Sequence, residues 1–159
     1  MEVTIRLASE QDLEVLADMR FDFTAEDKQI DQSDEAKTTF REKFAAQCSS
    51  YFTNQRWFIW VAEVNGEIVS HIYLQRIDKV LRPERQPQDF YWMTNVYTKP
   101  AFRSKGIGSQ LLGAVNTWLD EQDAEFALVW PSDEGRIFYE RNGYKTLNDP
   151  MARTKKEQI

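Results

Sequence analysis

Two β-rich runs lie on either side of Asn65-Gly66, and this arrangement predicts a β-hairpin. The first run covers 57–64 (WFIWVAEV), and the second extends from Glu67 to about Arg76. Asn-Gly is the strongest short-range hairpin signal, because both residues accept the backbone conformation of a two-residue turn. At least part of the chain is therefore expected to fold as an antiparallel sheet.

The rest of the chain alternates helical and strand patterns around this hairpin. Helical stripes follow Ser9 and Ser33, which can cap the helices behind them, and the segment 24–33 is polar and turn-like. The remaining patterns predict strands over 3–7, 90–98 and 126–130, helices behind residue 108 and over 132–141, and a loop over 77–88. Together they predict one α/β domain over 1–159, with helices packed on a central sheet.

The composition excludes several classes of protein. Cys48 is the only cysteine and His71 the only histidine, so no internal disulfide and no metal site is expected. No apolar run reaches the length of a membrane span, and the N-terminus lacks the pattern of a signal peptide. We therefore expect a soluble, cytoplasmic protein with no metal ion and no membrane partner.

Charge is distributed unevenly along the chain. The net charge is −6, which argues against a nucleic-acid-binding surface. Ten acidic and two basic residues lie between Ser9 and Ala36, a local charge of −8. The segment from Lys99 to Ser109 instead contains three basic residues and no acidic one. One short segment is therefore suited to hold an anion.

That basic segment contains Arg103-Ser104-Lys105-Gly106-Ile107-Gly108, between a predicted strand and a predicted helix. Glycines at the start of a helix allow close approach of a ligand, and the free N–H groups there attract a pyrophosphate. The letters match neither a Walker-type phosphate loop nor the dinucleotide-binding fingerprint. On the glycines alone, a simple tight turn remains the alternative.

Two motifs resemble the GNAT superfamily of N-acetyltransferases. N-V-Y-T-x-P-x-x-R-x-x-G-I-G, over 95–108, is similar to its acyl-CoA signature, and Ser132 to Tyr144 resembles the family's N-x-x-A-x-x-x-Y-E-x-x-G-F ending. The resemblance covers about 3–144 and leaves 145–159 as an uncertain tail. It implies a GNAT-like α+β fold, with a mixed, mostly antiparallel central sheet flanked by helices, and acetyl-CoA as co-substrate.

The resemblance also implies a role for particular residues. Backbone groups on a bulged strand are expected to pair with the pantetheine arm of the cofactor, and N–H groups from Arg103 to Ser109 to hold its pyrophosphate. Ser132 stands where the family often has Asn. The cofactor-binding set is therefore Val96, Tyr97, Thr98, Arg103, Ser104, Lys105, Gly106, Ile107, Gly108, Ser109 and Ser132.

Tyr139 matches the family's general acid, which protonates the departing thiolate, and the Val96 N–H matches its oxyanion donor. Without the motif, Tyr139 would be read as a packed aromatic. Many relatives carry a catalytic Glu on the strand before the loop, but residues 91–95 contain no acid. Thr94, ordered water, Asp89, an acid of the first two helices and His71 remain candidates for the route of amine deprotonation.

The acceptor is expected to be a small-molecule or peptide amine. The acidic segment 9–36 suggests a cationic amine, although a solvated acidic helix face explains the same charges. Trp92 and Trp130 are the aromatic candidates for the cleft, whereas Trp57, Trp60 and Tyr91 are expected in the core. Cys48 is expected to be a small buried hydrophobic residue.

Two further questions stay open at the level of sequence. A CoA-binding regulatory or interaction domain without turnover is the alternative to an enzyme, because the strand Glu is missing and Ser132 replaces Asn. The short segment after Tyr144, interrupted by Pro150, cannot supply a full final hairpin. Either the sheet is truncated or a second subunit completes it, so a homodimer is one expectation.

Overall fold

The sheet is built around the hairpin at Asn65-Gly66. A computed structural model describes residues 1–154 and gives both turn residues positive φ angles, 51° and 77°. These angles are what a tight two-residue hairpin turn requires. The flanking strands, β2 (Trp57–Val64) and β3 (Glu67–Ile77), pair antiparallel, so the predicted hairpin is confirmed.

Three more strands complete a five-stranded sheet. They are β1 (Val3–Leu7), β4 (Phe90–Thr98) and β5 (Ala127–Leu128), and the spatial order follows the sequence order. All neighbouring strands are antiparallel except β4 and β5, which are parallel. The mixed, mostly antiparallel sheet predicted from the family resemblance is therefore confirmed.

Four helices cover the two faces of this sheet. On one face, α1 (Leu13–Asp27) and α2 (Asp34–Cys48) pack against the sheet through Leu16, Met19, Phe44, Ile59 and Val61. On the other face, α3 (Ile107–Glu121) and α4 (Asp133–Arg141) pack through Leu111, Leu112, Val115, Tyr139, Ile72 and Met93. The alternation of side chains along β3 separates the two cores. Cys48 is buried in the first, and burial raises the pKa of its thiol to about 11.

Two predicted element boundaries were wrong. Helix α1 continues to Asp27, whereas residues 24–33 were expected to be a turn. Phe23 stacks on Tyr97 and Glu26 binds Arg103, so contacts with distant parts of the chain stabilise the last turn of the helix. The strand expected over 126–130 is reduced to Ala127–Leu128, because the chain leaves β4 after two paired residues.

A β-bulge interrupts β4 in its second half. The pairing with β3 passes from Tyr73–Thr94 to His71–Tyr97, so that Asn95 and Val96 both face the single residue Ile72. Asn95 has a positive φ of 48°, which Asn tolerates better than most residues. The fully buried His71 contacts the Asn95 carbonyl oxygen through Nδ1 at 2.8 Å. Since a carbonyl only accepts, His71 Nδ1 carries the proton.

The chain after α4 adds no further strand within the described residues. Residues 144–154 have no regular secondary structure, and the end of the predicted tail, 155–159, lies outside the residues described. None of the helices in residues 1–154 is long and apolar enough to cross a bilayer. Completion of the sheet by a second subunit stays a prediction.

The hairpin turn provides a test of the fold. We expect Gly66→Ala to lower the free energy of unfolding by about 1 kcal/mol, because a side chain is strained at a φ of 77°. The matched control is Gly113→Ala on α3, where a Cβ also meets no atom within 4 Å but φ is not positive. Chemical denaturation should show the control as neutral or more stable. Equal losses in both variants would contradict this account.

Burial of His71 predicts how stability depends on pH. Desolvation lowers the pKa of His71 to about 4, well below its usual value. The unfolded chain therefore takes up a proton near pH 6.5 that the folded chain refuses, so this stability is fully present above pH 6.5 and is lost as pH falls toward 4. Because His71 is the only histidine, an NMR titration of its ring measures the pKa directly. A pKa near 6.5 would contradict the buried neutral ring.

Candidate active site

A cleft of about 1220 Å³ opens where β4 and β5 separate. The two strands pair only at Tyr91–Ala127 and Trp92–Leu128. Beyond these pairs the cleft is bounded by the second half of β4, the loop before α3, the segment 129–135, α4 and one side of α1. Every predicted site residue except Lys105 and Ile107 lines it. The structure thus brings residues from distant parts of the chain to one place.

The loop before α3 presents a row of free backbone donors at one end of the cleft. Helix α3 begins at Ile107, and the first N–H there with a backbone partner is that of Gln110, bonded to the Gly106 carbonyl. Within residues 1–154, none of the six N–H groups from Ser104 to Ser109 has a backbone acceptor. Positive φ angles at Ser104 (60°) and Gly106 (79°) bend the chain into this shape. Such an array at a helix N-terminus suits a phosphate group.

The two basic side chains of this loop differ in their surroundings. Arg103 donates to both carboxylate oxygens of Glu26, at 2.9 and 2.7 Å, and to the Thr98 carbonyl oxygen at 2.8 Å. Its charge is therefore matched by an acid of α1. Lys105 is exposed, lies 5.5 Å from the Phe102 ring, and makes no ion pair within the described residues. Lys105 is the loop cation available to a ligand.

The bulged half of β4 supplies the residues predicted to hold the cofactor arm. Val96 belongs to the bulge, where one backbone residue is left without a partner in the ladder. The Tyr97 hydroxyl donates to Glu26 at 2.8 Å, and its ring stacks on Phe23, so this side chain supports α1. The Thr98 carbonyl already accepts from Arg103. Of the three residues, Val96 is the one whose backbone has no paired residue on β3.

Tyr139 is buried in the wall of the cleft on α4. Its side chain packs in the same core as α3, and its hydroxyl makes no hydrogen bond to another residue of the described chain. Burial raises the pKa of Tyr139 to about 12. The phenol is therefore fully protonated at neutral pH, with a donor free for a group in the cleft.

Ser132 has a structural partner. Its side-chain oxygen accepts from the Gly135 N–H at 3.1 Å, so it caps α4 as the sequence predicts. The residue also lines the cleft. A cap of this kind fixes the start of the helix that carries Tyr139. Contact of Ser132 with a cofactor stays a prediction, because the hydroxyl oxygen already has a partner in the chain.

The candidates for a general base differ in their access to the cleft. Thr94 lines it, whereas Asp89 does not and lies 3.5 Å from Arg76. His71 is fully buried, with Nδ1 engaged at Asn95 and a lowered pKa. This geometry suits a neutral ring that holds the bulge. No acidic residue stands on the cleft portion of β4, but Glu26 and Asp27 of α1 line the cleft, so an acid of the first helix stays a candidate beside Thr94 and ordered water.

Among the cleft-lining residues that sequence reasoning missed, three polar ones have defined contacts. Arg20 and Glu26 lie on α1, and Ser70 on β3. Ser70 contacts the Tyr97 carbonyl and the Thr98 hydroxyl at 3.0 and 2.8 Å, which holds the end of β4. The one available signal was Arg20, a basic residue within a strongly acidic segment. Trp92 and Trp130 do line the cleft, as predicted, with ring centroids 5.9 Å apart.

The side chains of the described residues do not form a metal-binding site. Residues 1–154 contain no cluster of three His, Cys, Asp or Glu side chains that could hold a metal ion. The polar groups of the cleft are instead backbone N–H donors, hydroxyl-bearing side chains of Ser, Thr and Tyr residues, and charged groups. This set suits an anionic ligand and proton transfer to or from a bound substrate.

Several solved structures share this fold. A predicted acetyltransferase of Clostridium acetobutylicum, solved with acetyl-CoA, superposes with a TM-score of 0.75 at 20% identity, covering 96% of both chains. A transcriptional regulator of Bacillus halodurans gives 0.76 at 21%, covering 97% of this chain and 100% of its own. Glucosamine-6-phosphate N-acetyltransferase of Arabidopsis thaliana gives 0.70 at 18%, covering 97% and 99%. At these identities the likeness establishes the fold and leaves the substrate open.

Of the two sequence comparisons, one finds a match. No curated protein matches the chain. The family model described as an acetyltransferase (GNAT) domain matches residues 55–146, more than half of the chain, and spans the hairpin, the bulged strand, the loop before α3 and Tyr139. The chain therefore belongs to the GNAT acetyltransferase family, whose members are N-acetyltransferases that use acetyl-CoA.

Proposed function

We propose that this protein is an acetyl-CoA-dependent N-acetyltransferase, which moves an acetyl group to a primary amine by direct attack in a ternary complex. The observation that carries the proposal is the cleft between β4 and β5. It has six free N–H groups at one end and the unpaired hydroxyl of Tyr139 in its wall. Binding both substrates in one cleft would supply much of the rate through orientation.

The loop before α3 would hold the pyrophosphate of the cofactor. The free backbone N–H groups from Ser104 to Ser109 would donate to its oxygens, and Lys105 would add an unpaired charge, whereas the Arg103 N–H is already bonded to the Pro100 carbonyl. Val96, Tyr97 and Thr98 would run beside the pantetheine arm in the gap left by β5. A cleft of about 1220 Å³ offers room for this arm together with an acceptor.

When bound, acetyl-CoA supplies an acetyl group activated as a thioester. The Val96 N–H would donate to the carbonyl oxygen as the neutral amine attacks the carbonyl carbon and negative charge develops on that oxygen. Tyr139 would then donate its proton to the sulfur as the carbon–sulfur bond breaks. The amine nitrogen loses one proton, and Thr94, ordered water or an acid of α1 would provide its route out of the cleft.

The structure weakens the argument for a cationic acceptor that the charge of residues 9–36 suggested. Of its acids only Glu26 and Asp27 line the cleft, and Glu26 is paired with Arg103. Asp12 binds Arg6 and Asp18 binds Arg41, both away from the cleft. Most of the local charge therefore serves helix packing or faces solvent. A polyamine, an aminoglycoside or a lysine side chain stays a candidate acceptor.

The alternative function is a CoA-binding regulatory domain without turnover. The capping role of Ser132 and the lack of an acid on β4 favour it, whereas the free hydroxyl of Tyr139 favours an enzyme. Both functions require the cofactor, so binding and catalysis need separate tests. The cytoplasmic location stays a prediction of the sequence.

Binding of acetyl-CoA is the first test. At 100 times its dissociation constant a ligand adds about 2.7 kcal/mol of stability. For a chain of this size that should raise the melting temperature by roughly 5–10 °C. We expect this shift with acetyl-CoA and not with ATP or NADH at equal concentration. The absence of any shift with acetyl-CoA would contradict the proposed cofactor.

A negative charge introduced at the start of α3 tests whether the pyrophosphate of acetyl-CoA binds there. Ser109→Glu puts a carboxylate among the free N–H groups of the first turn of α3, where acidic residues stabilise a helix. We expect an unchanged or higher melting temperature, with acetyl-CoA affinity reduced on the order of tenfold or more by charge repulsion. The neutral Ser109→Gln is the size-matched control and should bind several-fold better than Ser109→Glu. Equal affinities would place the pyrophosphate elsewhere.

Tyr139→Phe separates an enzyme from a binding domain. It removes the proposed proton donor and should lower kcat on the order of 10²–10⁴-fold, with acetyl-CoA affinity unchanged. Tyr144→Phe is the matched control, since that hydroxyl bonds Asn116 and does not line the cleft. Steady-state rates of CoA release with an accepted amine provide the measurement. A small effect of Tyr139→Phe would refute its role as the acid.

A further inference from the structure

Arg20 lines the cleft with a positive charge that no ion pair within the described residues neutralises. It lies on α1, is half-buried, and donates from one terminal nitrogen to the Asn95 side-chain oxygen at 3.2 Å. Its guanidinium carbon lies 5.6 Å from the centre of the Phe23 ring. A guanidinium carries five N–H donors, so most of those of Arg20 remain available.

The other arginines near α1 are neutralised. Arg103 binds Glu26 on the same helix, and Arg41 binds Asp18 with Nε–Oδ1 at 2.6 Å. Within the described residues Arg20 forms no ion pair, although Glu26 and Asp27 lie on the next turns of its own helix. A half-buried cation without a counter-ion is costly unless a ligand supplies the opposite charge.

The position of Arg20 separates it from the pyrophosphate end of the cleft. Asn95, its partner, precedes Val96 directly in the β4 bulge, where the proposed oxyanion donor stands. The free N–H groups of the loop begin nine residues later, at Ser104, beyond the end of β4. An anion on Arg20 would therefore lie beside the reacting atoms, where the acceptor binds.

We infer that the acceptor is an amine carrying an anionic group, a carboxylate or a phosphate, close to the nitrogen that is acetylated, and that Arg20 binds this group. The inference rests on the proposed acetyl transfer and names its substrate class. It runs against the cationic acceptor suggested by the charge of residues 9–36. Trp92 and Trp130 line the same cleft and offer apolar surface to the carbon skeleton of such an amine.

Matched acceptors test the inference with the wild-type enzyme and acetyl-CoA. One set is phenylalanine, its carboxamide and 2-phenylethylamine, and a second set is leucine, its carboxamide and isopentylamine. Glucosamine 6-phosphate and glucosamine form the phosphate pair, and spermidine represents the polycations. Rates are compared at about pH 9, where differences in amine protonation are smaller. We expect the anionic member of at least one set to have a kcat/KM about 10- to 100-fold above its neutral match.

Substitution of Arg20 identifies the group that binds the anion. We expect Arg20→Gln to lower kcat/KM for the anionic acceptor to the level of its neutral match, and to leave the neutral acceptor within about twofold. Arg20→Lys should restore part of the preference for the anionic acceptor, because lysine keeps the positive charge but cannot form the bidentate hydrogen bonds of a guanidinium. Arg41→Gln is the control for displacement of α1, since it breaks the pair with Asp18 outside the cleft.

Direct measurement of acceptor binding tests the role of Arg20 even when turnover is too slow to measure. The same acceptors are titrated by calorimetry against wild type and Arg20→Gln, each saturated with CoA. Neutral or polycationic amines as the better ligands in every set would overturn the inference, as would equal losses for all acceptors in Arg20→Gln. Arg20-dependent binding of an anionic amine without acetylation would support the subsite and count against the proposed acetyl transfer instead.

Discussion

The bulge at Asn95–Val96 is the constraint on which the candidate site depends. It places two residues of β4 opposite one residue of β3, and the pairing of β4 with β5 ends at Trp92, before the bulge. Because β5 then pairs over only two residues, the sheet opens into a cleft instead of continuing as a closed surface. The cleft is therefore a product of strand pairing, and its floor is backbone with unused hydrogen-bonding capacity.

Buried polar side chains hold this irregular backbone in place. His71 reaches the Asn95 carbonyl from β3, and Ser70 reaches the Tyr97 carbonyl two residues further along β4. Both side chains are almost fully buried, so the loss of either partner would leave an unpaired polar group inside the sheet. A neutral His71 meets this need because it donates one proton without bringing a buried charge. The lowered pKa of His71 is the consequence of that arrangement.

Glu26 joins the two sides of the cleft. It accepts from the Tyr97 hydroxyl on β4 and from Arg103 in the loop before α3, so α1, the bulged strand and that loop share one cluster. Arg103 also reaches the Thr98 carbonyl. Through these contacts the helix that carries Arg20 is held in register with the loop proposed to bind the pyrophosphate. The two ends of the cleft, which we propose to hold the acceptor and the cofactor, are thus linked by one cluster of side chains.

The sequence by itself determined the local features of this protein. The hairpin at Asn65-Gly66, strand 90–98 and the caps Ser33 and Ser132 follow from turn chemistry, alternation and helix-capping preferences, which act over a few residues. The two family motifs likewise predict that the loop 103–109 and Tyr139 belong to one site, and most residues of this loop line the cleft together with Tyr139.

Only the tertiary structure decided the length of α1, the short pairing of β5 and the charge at the acceptor end of the cleft. The last turn of α1 depends on Tyr97 and Arg103, more than seventy residues away in sequence, so no local pattern could predict it. The sequence gives only the summed charge of residues 9–36. In the structure, ion pairs with arginines outside this segment neutralise several of its acids, and Arg20 lines the cleft without an ion pair among the described residues. Local preferences define elements, whereas long-range contacts define which side chains remain free to act.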